Sequence, residues 1–209
     1  MSMSMTATDF TAPASDAELE TLASNLRARN FEVVVVQTGA EAKAEVLKRI
    51  PEGARIHSGK SKTLEDIGLF DTLMGSDEYD FVRKHTMKLD RITQRREMVK
   101  LGATPDLMIN SVQAVTEAGQ LVLVSASGSQ IGAISAGGEK LILVVGSQKI
   151  VPNLDAAFQR IQEHVFPYED ARLLEMLGIH TAWTRTLILE REFSPGRTTV
   201  VLVRNPVGV

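Results

Sequence analysis

The residues best suited to chemistry are Ser58-Gly59-Lys60-Ser61-Lys62-Thr63, which crowd hydroxyls, lysines and a glycine into one short stretch. An apolar run, Ala54-Arg55-Ile56, leads in as part of a strand over Ala54–His57, and a helix-like segment, Thr63–Gly68, leads out. The first N–H groups of a helix lack internal partners, and the helix dipole adds partial positive charge there. A strand–Gly/Ser loop–helix junction is therefore a natural anion site. In it Ser58 and Gly59 offer close approach, Lys60 charge, and Ser61 and Thr63 hydroxyl and N–H contacts. The Gly59-Lys60-Ser61 triplet imitates a nucleotide P-loop, but the count fails: that motif needs a glycine at position 54, which is Ala54.

Other groups are weaker. Gly128 and Gly132 follow an apolar run, yet Gly128-Ser129-Gln130-Ile131-Gly132 lacks the G-x-G-x-x-G spacing of a dinucleotide turn. A tight turn bringing Ser127, Ser129 and Gln130 towards a ligand fits better. Glu117, beside Ala118-Gly119, has the chemistry of a nucleophile or general base, although an isolated turn carboxylate is ordinarily just solvated. His57, His85, His164 and His180 are scattered without metal-ligand spacing. The chain has no cysteine, which excludes disulfides, thiolate metal sites and cysteine nucleophiles. No cofactor or metal motif is present, so neither is expected.

The elements that must carry these residues follow from periodicity. Ser15 and Glu18 form a capping box ahead of Leu19, Leu22, Ala23 and Leu26. Phe31–Val36 is a continuous β-branched run, the mark of a strand covered on both faces. Thr38 and Glu41 start a helix that Pro51 and Gly53 end. Asp71–Asp80 reads as irregular, and Phe81–Leu101 as a basic helix closed by Gly102. Asp106–Asn110, Gln120–Ser125 and Lys140–Gly146 read as strands. A helix starts at Pro152-Asn153 and breaks at Pro167, and Asp170–Leu177 is a short helix stopped by Gly178. The tail reads as a hairpin, Thr186–Glu190 and Thr198–Arg204 about Ser194-Pro195-Gly196. Such alternation predicts an α/β fold with a parallel sheet.

Composition agrees. At 44% hydrophobic and 23% charged the chain resembles an ordinary globular protein. A net charge of −3 gives no general field for nucleic acid, and the basic stretch from Arg83 to Lys100 reads as a solvated face, or as one that draws a small anion towards the site. No apolar run is long enough for a membrane span, and residues 1–8 lack the pattern of a signal peptide, so a cytoplasmic protein is expected. Residues 1–14 read as a flexible segment and 15–209 as a single domain.

Several motifs, in order, carry a resemblance. Gly59-x-Ser61-x-Thr63-Leu64-Glu65-Asp66-Ile67-Gly68 is followed by Asn110–Val122, Ser127–Gln130, Val144–Val151 and Pro195–Val203. Together they resemble the LUD domain of lactate-utilisation proteins. The resemblance implies a three-layer α/β/α sandwich of the NagB/RpiA/CoA-transferase-like kind. It also implies an anion loop at Ser58–Thr63 and a Glu117 that could attack thioesters. Family members take part in oxidising L-lactate to pyruvate, with iron–sulfur clusters on partner proteins or fused domains. Many carry a cysteine cluster where this chain has Thr181–Arg185, and Asn-Arg where it has Ser129-Gln130.

The resulting expectation is a small carboxylate or phosphate held between Ser58–Thr63, Asn110–Glu117 and Ser127–Gln130. Two alternatives stand beside it. One is a non-catalytic accessory subunit docked on iron–sulfur partner proteins of lactate oxidation, or a homo-oligomer. The other is a CoA transferase or sugar-phosphate isomerase using Glu117.

Overall fold

A computed structural model describes residues 9–90 and 92–209. In chain order the elements are α1 (Asp16–Ala28), β1 (Glu32–Val36), α2 (Gly39–Lys48), β2 (Arg55–Ser58), α3 (Lys62–Asp66), α4 (Leu69–Gly75), β3 (Asp80–Phe81), α5 (Val82–Thr86) and α6 (Arg95–Ala103). Then come β4 (Leu107–Asn110), β5 (Ala114–Thr116), β6 (Leu121–Ser125), β7 (Lys140–Gly146) and β8 (Ile150–Val151). The chain finishes with α7 (Leu154–Arg160), α8 (Phe166–Leu177), β9 (Arg185–Leu189) and β10 (Thr198–Val203).

Six strands form a parallel sheet in the order β1-β10-β7-β4-β2-β3. A second sheet, β8-β5-β6-β9, is mixed. Side chains alternate across a strand, so each strand of the large sheet feeds two cores. Ile56, Leu107, Ile109, Ile142, Val144, Val201 and Val203 pack with Ala42, Val46, Leu64, Leu69 and Leu73 of α2, α3 and α4. Met108, Leu141, Leu143, Val145, Val200 and Leu202 pack with Leu19, Leu22 and Leu26 of α1 and with Leu121 and Leu123 of the second sheet. The other face of that sheet meets Ala157 and Ile161 of the α7 region. The expected α/β/α sandwich is therefore present, with a small sheet inserted beside α1.

The tail is not a hairpin. β9 pairs antiparallel with β6 in the second sheet, while β10 lies parallel between β1 and β7. All of Thr198–Val203 is buried, which only a central strand allows. The basic helix is likewise divided. The Asp90 carboxylate accepts the N–H groups of Ile92 and Thr93, drawing them away from a helical ladder. Leu69–Gly75, read in part as irregular, is α4. Pro167 does not break its helix: a π turn over Ile161–Val165 precedes it, and the wider turn carries α7 into α8. Gly178 ends α8 in the left-handed conformation, as expected.

Of the segment read as flexible, residues 1–8 lie outside the described residues. Phe10 is buried, and its carbonyl lies 3.5 Å from Arg160 Nη2.

Candidate functional site

β2 and β4 are neighbours, and the chain leaves them towards opposite faces of the sheet. After β2 it forms α3 on the α2–α4 side, and after β4 it enters the second sheet. A crevice opens at the carboxyl ends of two strands whose continuations diverge in this way, and ligands of α/β proteins favour such a place. Ser58 ends β2 and Asn110 ends β4.

Ser58 is fully buried, and its Oγ has no hydrogen-bond partner. Gly59 is pressed between the two other expected segments. A methyl group at Gly59 would lie 3.4 Å from Asn110 Oδ1 and 3.5 Å from Gln130 Cδ. Thus Gly59, Asn110 and Gln130 come together, while Ser58, in register with Ile109, faces the α2–α4 side of the sheet. Ser61 caps α3, accepting the Leu64 N–H at 3.4 Å. With α3 only five residues long, its dipole adds little, so the side chains carry the site.

The other expected residues stand differently. Lys60 is exposed and reaches α8, with Nζ 3.4 Å from Met176 Sδ. Partial burial and the Arg172 guanidinium hold its ammonium below the usual lysine range. Ser127 and Ser129 hydrogen-bond each other at 3.1 Å. Gly128, at φ +74°, lies against Arg185, which donates to the Ala126 carbonyl at 3.1 Å. Glu117 is at the opposite end of the sheet. Its carbonyl accepts from Asn25 of α1 at 2.7 Å, and the next carbonyl, of Ala118, accepts from Arg29 at 2.6 Å, just before β1 begins. The structure does not bring Glu117 to the Ser58–Thr63 loop.

Thr63 points inward and leads to the group that sequence reasoning missed. Lys149, which follows β7 in a short 3₁₀ turn, is 2% exposed. Its Nζ donates to Thr63 Oγ1 at 2.7 Å, Ser111 Oγ at 3.0 Å and the Val112 carbonyl at 3.2 Å. Burial, and then the positive charge of Arg160, push Lys149 down to about 7. Arg160 is fully buried and donates to the Gln113 carbonyl at 2.5 Å. Burial lowers it only to about 10, so it stays charged near neutrality. The one signal in the sequence was a lysine set among Val144, Val145, Ile150 and Val151.

His57 shares a face with Met108 and lies under α6, where a methyl group at Gly102 would come 2.8 Å from its Nε2. Burial, aided by Arg83, holds His57 down to about 4, so its ring is neutral near pH 7. His85 and His180 sit 2.9 Å from Asp80 and Asp170. Among the described residues no cluster of His, Asp and Glu could hold a metal ion, and no helix is long and apolar enough to cross a membrane.

A parallel sheet with a polar crevice at its carboxyl edge defines the class, and comparison with known proteins gives the family. The LUD domain matches residues 19–203, and the chain belongs to the LUD domain family. A solved structure of a DUF162 family protein from Deinococcus radiodurans is similar in fold. It has a TM-score of 0.57 and 15% identity, covering 91% of this chain and 99% of that one. Ribose 5-phosphate isomerase A from Neisseria gonorrhoeae is more distant, with a TM-score of 0.37 and 14% identity over 75% of this chain and 76% of that one. A comparison with curated proteins gives no match.

Proposed function

We propose that this LUD-domain protein binds a small anionic metabolite, a carboxylate or phosphate, at the carboxyl edge of β2 and β4, and serves lactate or related organic-acid utilisation. The observation that carries the reading is the convergence of Gly59, Asn110 and Gln130 where β2 and β4 end side by side. The amide groups of Asn110 and Gln130 supply directional donors, and Lys60 supplies charge at the rim.

Calorimetric titration with L-lactate, pyruvate, a phosphosugar and an acyl-CoA tests this. A carboxylate or phosphate is expected to bind, and Asn110→Ala to weaken it about tenfold or more, since hydrogen bonds to charged groups contribute about 1.5–3 kcal/mol. Absence of binding by every compound, or unchanged binding by the variant, defeats the reading.

One observation favours the accessory-subunit alternative. α8 buries none of its residues fully, and Leu174, Leu177 and Ile179 are exposed along and just beyond it. Co-purification of an iron–sulfur protein from lactate-grown cells, lost on Leu174→Asp with Leu177→Asp, supports docking there; a chain that stays alone argues against it.

A further inference from the structure

Among the described residues, the polar interior beside the crevice is built without an acid. Lys149 fills its hydrogen-bonding capacity with two hydroxyls and a carbonyl, all uncharged. Arg160 stands on the next stretch of the same segment, bonded to the Gln113 carbonyl, and its Nε has no partner. The ionisable groups that act on Lys149 are Arg160 of α7, His164 of the following π turn and Asp66 at the end of α3. Only Asp66 is acidic. It is exposed, and its carboxylate already takes the Lys62 ammonium and the Gly208 N–H. A protonated Lys149 would thus be a second buried cation beside a permanent one, in surroundings where charges interact strongly.

The position matters as much as the charge. Ser111, bonded to Lys149, follows Asn110 directly in the chain, and Thr63 lies in the helix that leaves the Ser58–Ser61 loop. Lys149 is therefore tied to both walls of the crevice. An anion held at Asn110 supplies the negative charge that the cluster lacks.

We infer that Lys149 is the proton carrier of the anion site: in mildly alkaline solution it stands as a neutral amine while the crevice is empty, and takes one proton from solvent as an oxyanion binds against Asn110 and Gln130. This rests on the anion-binding reading above and adds its selectivity. The ligand class is a small oxyanion, and a neutral isostere such as lactamide is rejected because it gives the ammonium nothing to face. Thr63 and Ser111 serve both states, since a hydroxyl can accept from an ammonium or donate to an amine.

The test is calorimetry on the intact protein with L-lactate and with sulfate, neither of which titrates between about pH 6 and 9, in buffers of unlike ionisation heat. At pH 8 about one proton is expected to be taken up per anion bound. Below about pH 7 the empty site already holds the proton, so uptake should vanish and affinity should be greatest. Above it affinity should fall about tenfold per pH unit. Lys149→Met should abolish the uptake and flatten the pH dependence. Where that variant does not fold, the Cε signal of Lys149 in 13C-lysine-labelled protein gives the same answer, its titration moving to higher pH when anion is added. Binding without proton uptake, uptake that survives Lys149→Met, or lactamide binding as well as lactate overturns the carrier and leaves the anion site standing. No binding of either anion at any pH overturns both.

Discussion

The two ends of the parallel sheet bury charge in opposite ways. At the amino end, where β10 begins, Glu192 is buried against Arg197 at 2.8 Å and accepts from the Thr198 hydroxyl. Arg197 donates further to the Ile134 carbonyl at 2.9 Å and the Gly138 carbonyl at 3.2 Å. Nearby, Arg29 ties α1 to the Ala118 and Glu190 carbonyls at 2.6 and 2.7 Å. At the carboxyl end Lys149 and Arg160 find only hydroxyls and carbonyls, and the Ser58 hydroxyl finds no partner. A buried ion pair with its lone pairs satisfied is closed and fixes structure. A buried basic cluster without an acid leaves an interaction unmade, and that is where a ligand has something to gain.

Breaking the closed end should cost the most. Glu192→Ala leaves Arg197 without its carboxylate and is expected to destabilise the protein by about 3–5 kcal/mol in urea denaturation. A loss under about 1 kcal/mol would mean that the Ile134 and Gly138 carbonyls hold Arg197 unaided. The open end should answer to pH. Lys149 titrates at about 7 in the folded chain, below the ordinary range near 10.4 that it has when unfolded. Between those values the unfolded state binds more protons, so wild-type stability should rise with pH above 7 and the full penalty should persist below it. Relative to Lys149→Met, the wild type should gain on the order of 1 kcal/mol per pH unit from pH 7 to pH 9. A parallel pH course for the two proteins would show an ammonium compensated in the fold. The smallest effect is expected at Glu117, exposed at the amino end. Glu117→Ala should change stability by no more than about 0.5 kcal/mol and leave anion affinity as it was. A large loss of affinity would place the chemistry at the amino end of the sheet instead.

Much of the framework was legible. The Ser15 cap accepts the Glu18 N–H and receives the Glu18 carboxylate in return, as the capping box predicted. The runs at Glu32–Val36, Arg55–Ser58, Leu107–Asn110 and Lys140–Gly146 are strands of one parallel sheet. What local signals mistook were choices made at long range. Ser194-Pro195-Gly196 has good turn chemistry, yet the partners of β9 and β10 are set by burial. Thr198–Val203 is apolar on both faces and needs two covers, whereas β9 is half exposed and suits an edge. Asp90 broke the basic helix by a side-chain competition that apolar periodicity does not register. Ser58, Gly59, Asn110 and Gln130 were visible as small polar residues after strands. Lys149 was not, because a lysine inside an apolar run shows nothing of the hydroxyls that the fold brings to it from Thr63 and Ser111.

The central position of β10 bears on synthesis. Until residue 203 has left the ribosome, β1 has no neighbour in the sheet and β7 exposes one bare edge, because each pairs with β10. Until then the nascent chain carries two sticky strand margins, and the seam closes only when Thr198–Val203 slides between them. Contacts between residues 32–36 and 199–203 span almost the whole sequence, which favours slow, late closure.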